Sequence, residues 1–420
     1  MRETRILKAP KFLRWISFFV LISCASYTEQ TAGIHSSFVA SRYDEALEKL
    51  ESSEVKEQDR NRLLFNLEKA IILDRLGQSK ASRKLLSESS KIADELYTKS
   101  ITKEVATYLV SEDKSEYAGE DYEKVAIHTL LALSYLEEGQ LGEARVEARK
   151  INNKIAELNK GYEESPNKYS DDGFAWLLSA AIYEAKEEWD DAIIDYDKAL
   201  KSYRGAFSNF SDGVPEALVI GYANSATIRN RQDRLKELSQ SFPKVFKKYT
   251  FPLKGKSTLF VSESGVTARK QSESFFLPVG DQIIRYSWPI IKNISPSYPP
   301  QVRASNSTLT FDRAISFSNI AKETLENKRT RYTLKSMARL IAKSKLTQQA
   351  EKNFGPLGGL LANIFVASTE TADTRSWTLL PESIHLCRVQ SDRELESFSL
   401  NQETRKINPT KGKIDFVVIK

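Results

Sequence analysis

The sequence predicts an α+β multidomain protein in three parts. A leader covers 1–23, an all-α array of paired helices covers 24–250, and an α+β domain covers 251–420, with a helical block at about 314–368. Three observations carry this. From Thr28 to about Lys248, apolar residues recur at three- and four-residue steps. Within that stretch one pattern of large, small and aromatic residues returns several times. After Lys247-Lys248-Tyr249-Thr250-Phe251-Pro252, short β-rich runs bounded by Gly or Pro take over.

Composition sets the outer limits. The 420 residues are 40% hydrophobic and 28% charged, with 17 Gly and 13 Pro, which excludes collagen-like, low-complexity and wholly disordered chains. A mean hydropathy of -0.43 and a single apolar run near the start exclude a polytopic membrane protein. Two Cys and three His leave almost no material for a zinc site or a disulfide scaffold.

The leader has its own logic. Arg2, Arg5, Lys8, Lys11 and Arg14 stand against Glu3, an apolar run follows from Trp15 to Ile22, and Ser23-Cys24 closes it. A basic flank, a short apolar core and a small residue before the cut read as a secretory signal. Leu21-Ile22-Ser23-Cys24 resembles the bacterial lipobox, in which the Cys sulfur is acylated and becomes the new N-terminus. The competing reading is a signal anchor or buried helix that happens to end in Cys. One acyl chain holds a protein only marginally, at about 0.8 kcal/mol per buried methylene, whereas the two or three of a lipoprotein anchor it firmly. Ala25 after the Cys, rather than Asp, favours the outer membrane under enteric-type sorting. Cleavage removes five cations and one anion, which leaves the chain near +2. A nucleic-acid role needs a basic patch and loses its main support.

In the array, the clearest unit runs from Trp176-Leu177-Leu178-Ser179-Ala180 through Tyr183 to Ala192, Tyr196 and Ala199. It resembles the tetratricopeptide repeat: Ala180 and Ala192 let two antiparallel helices approach, while the aromatic rings fill the space beside the crossing. A second copy has His128, Leu131, Ala132 and Tyr135, then Gly139 in its turn, Ala144 and Ala148. A third has Phe65, Ile72, Leu76-Gly77 and Ala81, and a weak first copy is Tyr43-Asp44-Glu45-Ala46-Leu47. Long insertions fall near 97–124 and 155–172. Val214–Ile228 and Gln232–Phe242 form a closing pair before Pro243.

In the α+β domain, strands are expected at Ser257–Glu263, Phe275–Leu277, Gln282–Ile291 and Ser307–Phe311. Helices are expected at Ala314–Asn327, Arg331–Lys352 and Leu357–Ser368, and strands again at Ser376–Leu380, Ile384–Val389 and Lys413–Ile419.

The chain carries none of the usual catalytic signatures. It has no His-Glu-x-x-His, no Gly-x-Ser-x-Gly elbow, no phosphate loop and no dinucleotide fingerprint. His128 takes a packing position in its repeat. His385 and Cys387 lie two apart on an expected strand and so share a face, but no third orienting group is evident. Glu120, Asp121 and Glu123 are clustered carboxylates, which suit a helix N-terminus, a binding surface or glycoside hydrolysis. Lys335, Arg339 and Lys343 make a basic helix face. Asp373-Thr374-Arg375-Ser376-Trp377 reads as an Asp–Arg bracket at the return from helix to strand, or as a recognition patch. Glu120, Asp121, Asp373, Arg375 and Trp377 are therefore the candidate interaction residues, and Cys24 is the lipidation site. No catalytic residue, metal site or cofactor is assigned.

Several stretches taken in order carry a wider resemblance: Leu96-Tyr97-Thr98-Lys99-Ser100-Ile101, Tyr117-Ala118-Gly119-Glu120-Asp121-Tyr122-Glu123, the helices of Ala132–Tyr135 and Ala148-Arg149-Lys150, then Thr369–Trp377 and Leu380-Pro381. They resemble an uncharacterised family of tetratricopeptide-containing bacterial envelope lipoproteins. Members are often encoded near lipoprotein activators of penicillin-binding proteins. The resemblance implies an envelope role around peptidoglycan or outer-membrane biogenesis, and it brings no catalytic residue. The sequence reading is thus a non-enzymatic, lipid-anchored scaffold on the periplasmic side of the envelope that binds protein partners and no nucleic acid. The alternative is a periplasmic glycan-binding or cell-wall-modifying enzyme.

Overall fold

In a computed structural model, the described residues are 26–102, 115–160, 167–279, 282–305, 307–328, 349, 352–353, 372–410 and 412–420. Helices fill the first part. Short helices α1 (Tyr27–Gln30), α2 (Ala32–Val39), α3 (Tyr43–Glu51) and α4 (Glu54–Glu57) lead into α5 (Arg62–Arg75) and α6 (Ser79–Thr102). Then come α7 (Asp121–Glu137) with α8 (Leu141–Asn159), α9 (Gly173–Ala185) with α10 (Trp189–Arg204), α11 (Glu216–Ile228) with α12 (Gln232–Ser241), and α13 (Pro243–Lys248).

Five successive pairs, α2/α3, α5/α6, α7/α8, α9/α10 and α11/α12, are joined by three-residue turns of one form. The middle residue of each has positive φ: Ser41, Gly77, Gly139, Glu187 and Asn230. A left-handed residue between helices lets the chain reverse at once, and glycine adopts it without strain. Three residues into the second helix of the first four pairs, Ala46, Ser82, Ala144 and Ala192 are buried at the helix crossing. That register corrects the third repeat: Ser82 holds the small-residue position and Ala81 is exposed.

The strands form three sheets. β1 (Lys256–Ser264), β6 (Asp312–Ser316), β7 (Ser383–Ser391) and β10 (Ile414–Ile419) make the first, in the order β10-β1-β7-β6, with β1 and β10 parallel. β4 (Val302–Ala304), β5 (Ser307–Thr308), β8 (Ser397–Leu400) and β9 (Glu403–Lys406) make the second. Among the described residues, β2 (Gln271–Val279) and β3 (Gln282–Ile290) pair only with each other. Strand alternation turns the first sheet into a middle layer. Leu259, Val261, Ile414 and Phe416 pack with the helices, whereas Phe260, Val417 and Ile419 pack with Val302, Phe398 and Leu400 of the second sheet.

The structure departs from the sequence reading in three further places. Ala314–Ser316 belongs to β6, and α14 (317–328) starts only afterwards. Residues 376–380 are an extended segment and a turn, not a strand, because their backbone donors go to helix side chains. The polar β8–β9 hairpin has no apolar run that would announce it. The leader with Cys24, most of the helical block and Lys335, Arg339 and Lys343 lie outside the described residues.

The common turn gives a paired test. Gly139→Ala is expected to cost about 1 kcal/mol at φ +72°, whereas Glu187→Gly gains a smaller amount because glycine's unfolded-state entropy offsets part of the relief. Urea unfolding of the two variants against the parent chain measures both signs.

Candidate functional site

The first helices of the pairs turn one face toward the rest of the protein: β10 packs on α7 and α9, β7 packs on α11, and α5 meets residues 378–379. Three of those helices bury a glutamate there. A desolvated carboxylate must receive hydrogen bonds or be neutralised, and each of these finds donors in residues 377–388. Glu68 on α5 accepts from the backbone N–H of Thr378 at 2.7 Å, its hydroxyl at 2.8 Å, the N–H of Leu379 at 2.9 Å and the Tyr27 hydroxyl at 3.3 Å. Burial pushes its carboxyl up to about 7, against those four bonds. Glu123 on α7 accepts from the N–H of Trp377 at 2.7 Å and from the Tyr117 hydroxyl at 2.6 Å. Burial and the Glu120 charge raise it as well.

Glu184 on α9 pairs with Arg388 of β7 through two bonds of 2.7 and 2.8 Å, both side chains being buried. It also accepts from the Tyr196 hydroxyl at 2.6 Å and from Asn224 Nδ2 at 2.8 Å. Gly221 makes room for this cluster, since a Cβ there would fall 2.1 Å from the Tyr196 oxygen. At the end of β10, Lys420 bridges Asp74 at 2.7 Å and Glu137 at 2.6 Å. Arg75 meets Glu263 at 2.9 Å.

The five candidate interaction residues come together at one joint beside Glu123. Glu120 takes Lys270 and, at 2.8 Å, Lys328. Although burial pushes its carboxyl up, those two ammonium groups hold it well below the usual range. Lys270 Nζ also donates to the Arg375 carbonyl at 3.1 Å. Arg375 pairs with Asp373 at 2.8 Å, donates to the Ser115 carbonyl at 2.8 Å and stacks 5.2 Å from the Tyr117 ring. Asp121 pairs with Lys124 at 3.3 Å. Trp377 is 0% exposed, and among the described residues its indole N–H finds no acceptor. The expected Asp–Arg bracket is present, and it sits in a joint between helices and segment.

A second constellation was not legible beforehand. His128 on α7 faces Glu147 on α8, Nδ1 to Oε2 at 2.7 Å, and Ser90 on α6 lies 3.4 Å from Nε2. Pairing with the carboxylate assigns a proton to Nδ1, and the neutral form of that ring would offer Nε2 as an acceptor to the serine hydroxyl. Burial alone would raise Glu147, but the bonds from His128 and Lys150 bring it down. The three line a polar cleft of about 350 Å³ together with Asp94, Lys150 and Lys154. The connectivity is that of a nucleophile, a base and an orienting acid. Yet Ser90 is in mid-helix, without the sharp turn that exposes a catalytic serine. The signal for Glu147 was its place between Ala144 and Ile151 on the buried side of α8. The His385–Cys387 pair carries no chemistry of this kind: burial pushes the thiol up to about 12 and the imidazole down to about 4.

No family profile and no curated protein matches the chain. Among solved structures it is similar to MamA from MSR-1, at 17% identity over 51% of this chain and 93% of that one, with a TM-score of 0.29. It is similar to the TPR-like repeats of a Podosopora anserina kinesin light chain at 16% identity, 52% and 94% coverage and a TM-score of 0.33. MamA from AMB-1 gives 18%, 53%, 91% and 0.32. Likenesses this loose carry no function. The protein is a helical repeat array with a sheet-containing C-terminal part, on the strength of its own helix pairs and turns.

Two tests follow from the buried carboxylates. Glu68 titrates near 4.5 unfolded and near 7 folded, so the folded state holds the extra proton between those values. The stability this contributes is complete below pH 4.5 and is lost as pH rises through 7, about 3 kcal/mol in all. Glu68→Gln removes that dependence, which urea unfolding across the range will register. Glu184→Ala leaves the Arg388 charge unpaired and is expected to cost about 3–5 kcal/mol; adding Arg388→Met should recover most of it.

Proposed function

We propose that this chain is a lipid-anchored scaffold of the bacterial envelope, tethered through acylated Cys24 on the periplasmic side and serving peptidoglycan or outer-membrane biogenesis. The observation that carries the reading is the closure of the first-helix face by residues 377–388. Helical arrays commonly take extended peptides on such a face, and here the chain's own segment occupies it. Partners therefore dock elsewhere. The polar cleft between α6, α7 and α8 is a recessed surface among the described residues that stays open, with Lys91, Asp94 and Lys150 exposed at its rim. Charged groups of both signs there suit a polar, charged segment of a partner protein. The proposed location is supported by the resemblance to tetratricopeptide-containing envelope lipoproteins and by the likeness of Leu21-Ile22-Ser23-Cys24 to a lipobox.

The Ser90–His128–Glu147 geometry favours a second reading, an envelope hydrolase working on an ester or amide in the same cleft. One experiment separates the two. A photocrosslinker at position 150 of the full acylated chain is expected to capture envelope proteins in cells, with capture lost in Cys24→Ala and in Lys154→Glu. Capture indifferent to the cleft substitution would overturn the docking surface. Labelling by a fluorophosphonate that disappears in Ser90→Ala would select the hydrolase.

A further inference from the structure

Among the described residues, the β2–β3 ribbon joins neither of the other sheets. Its base is held by Trp288, which is buried in the main core, and by Ile290 packed beside it. Further out, Ser274 and Ser287 bond across the strands at 3.1 Å. Beyond them the cover ends: Phe275 is 40% exposed and Phe276 is 69% exposed. The register pairs Phe276 with Arg285, Leu277 with Ile284, Pro278 with Ile283 and Val279 with Gln282, so the sequence is mostly apolar toward the turn, with one cation and one amide among it. A two-stranded ribbon is marginal in water by itself, and an apolar one needs cover.

Two observations say what covers it. Neighbouring strand residues point to opposite faces, so the rings of Phe275 and Phe276 require cover on both sides of the ribbon. A groove in a protein covers one face, whereas a fluid medium covers both. The second observation is where the N-terminus emerges. The Thr28 hydroxyl donates to the Lys270 carbonyl at 2.8 Å, and the Arg269 guanidinium donates to the Thr28 carbonyl. Helix α1 is thereby fastened to the residues that enter β2. Cys24 stands two residues before Ser26, at most about 7 Å of chain away. Phe276 lies six residues past Lys270, about 20 Å along the strand.

We propose that the β2–β3 ribbon is a second membrane contact, lying in the headgroup zone of the leaflet that holds the Cys24 acyl chains. The inference rests on acylation of Cys24. Depth is limited by the backbone: a two-stranded ribbon has two unpaired edges, which the hydrocarbon core does not tolerate. The ribbon therefore stays within about 5–10 Å of the interface, where aromatic rings are favoured. Two contacts rather than one would fix the orientation of the array above the membrane.

The test uses the purified full-length acylated chain in phosphatidylethanolamine–phosphatidylglycerol vesicles, with Phe276→benzoylphenylalanine as the photoprobe. Ile194→benzoylphenylalanine is the control, at an exposed apolar site on α10. Vesicle flotation reports the anchor, and mass spectrometry reports the adducts. Phospholipid adducts at 276 and none above background at 194 are expected. A chain that floats but gives no lipid adduct at 276, or only adducts to a second copy, overturns the ribbon contact and leaves the anchor standing. A chain that carries no acyl group and does not float overturns both. In the floating Phe275→Ser/Phe276→Ser variant, an unchanged thermal melt together with increased protease access to α1 is expected. Unchanged access would count against the contact.

Discussion

Burying a carboxylate in a helix face obliges the fold to bring donors to it, and this protein does so three times. Glu68, Glu123 and Glu184 stand on the first helices of three successive pairs, where a regular array would place apolar or small residues. Their donors from the C-terminal third are three backbone amides, the Thr378 hydroxyl and the Arg388 guanidinium. An unpaired charge in such a place costs several kcal/mol, far more than one apolar contact returns. The array is therefore complete only with the sheet in place. Ordinary solenoids gain stability repeat by repeat from nearest neighbours. This one adds contacts that join the first pairs to the last strands, and one hydrophobic cluster runs through both parts.

The helical pairs were legible because local patterns set them. Gly77 and Gly139 mark two of the turns, and Ala180 with Ala192 mark a crossing. Glu187, Asn230 and Ser41 occupy the same left-handed position without announcing it. What the sequence hid is long-range. Ser376–Leu380 reads as a strand because it holds Trp377 and two leucines, yet its N–H groups are spent on glutamates far upstream. Glu68 and Glu123 look like ordinary charged residues of amphipathic helices, and nothing local says that they face inward. Glu184 gave one hint, following Ala180-Ala181-Ile182-Tyr183 on an almost wholly apolar helix. Of the candidate site, the Asp373–Arg375 bracket was readable from spacing alone. Its union with Glu120 through Lys270 was not, since Lys270 comes from a loop between strands.

The same hydrogen bonds separate the surfaces of the protein by role. The face that arrays commonly offer to peptides is filled, and the segment filling it is held by backbone recognition, much as a foreign peptide would be. The second-helix side keeps a polar cleft, and the ribbon keeps exposed rings. These two differ in chemistry: one offers charges of both signs, the other bare aromatic area. A body closed by its own chain can then hold such surfaces at fixed positions.

The sequence distances spanned by these bonds bear on how the protein is made. Glu68 waits for partners 310 residues downstream, Glu123 for one 254 away, and Glu184 for one 204 away. Closing such long loops is slow, and little rewards the chain before it happens. Until residues 377–388 have been made, Glu68, Glu123 and Glu184 have only part of their donor sets, among them the hydroxyls of Tyr27, Tyr117 and Tyr196 and the Asn224 amide. The helical pairs can form from local patterns, but closure of their common face waits for the last quarter of the chain. A chain ending before residue 377 would carry the three carboxylates on an open face, without the amides and the guanidinium that cover them here.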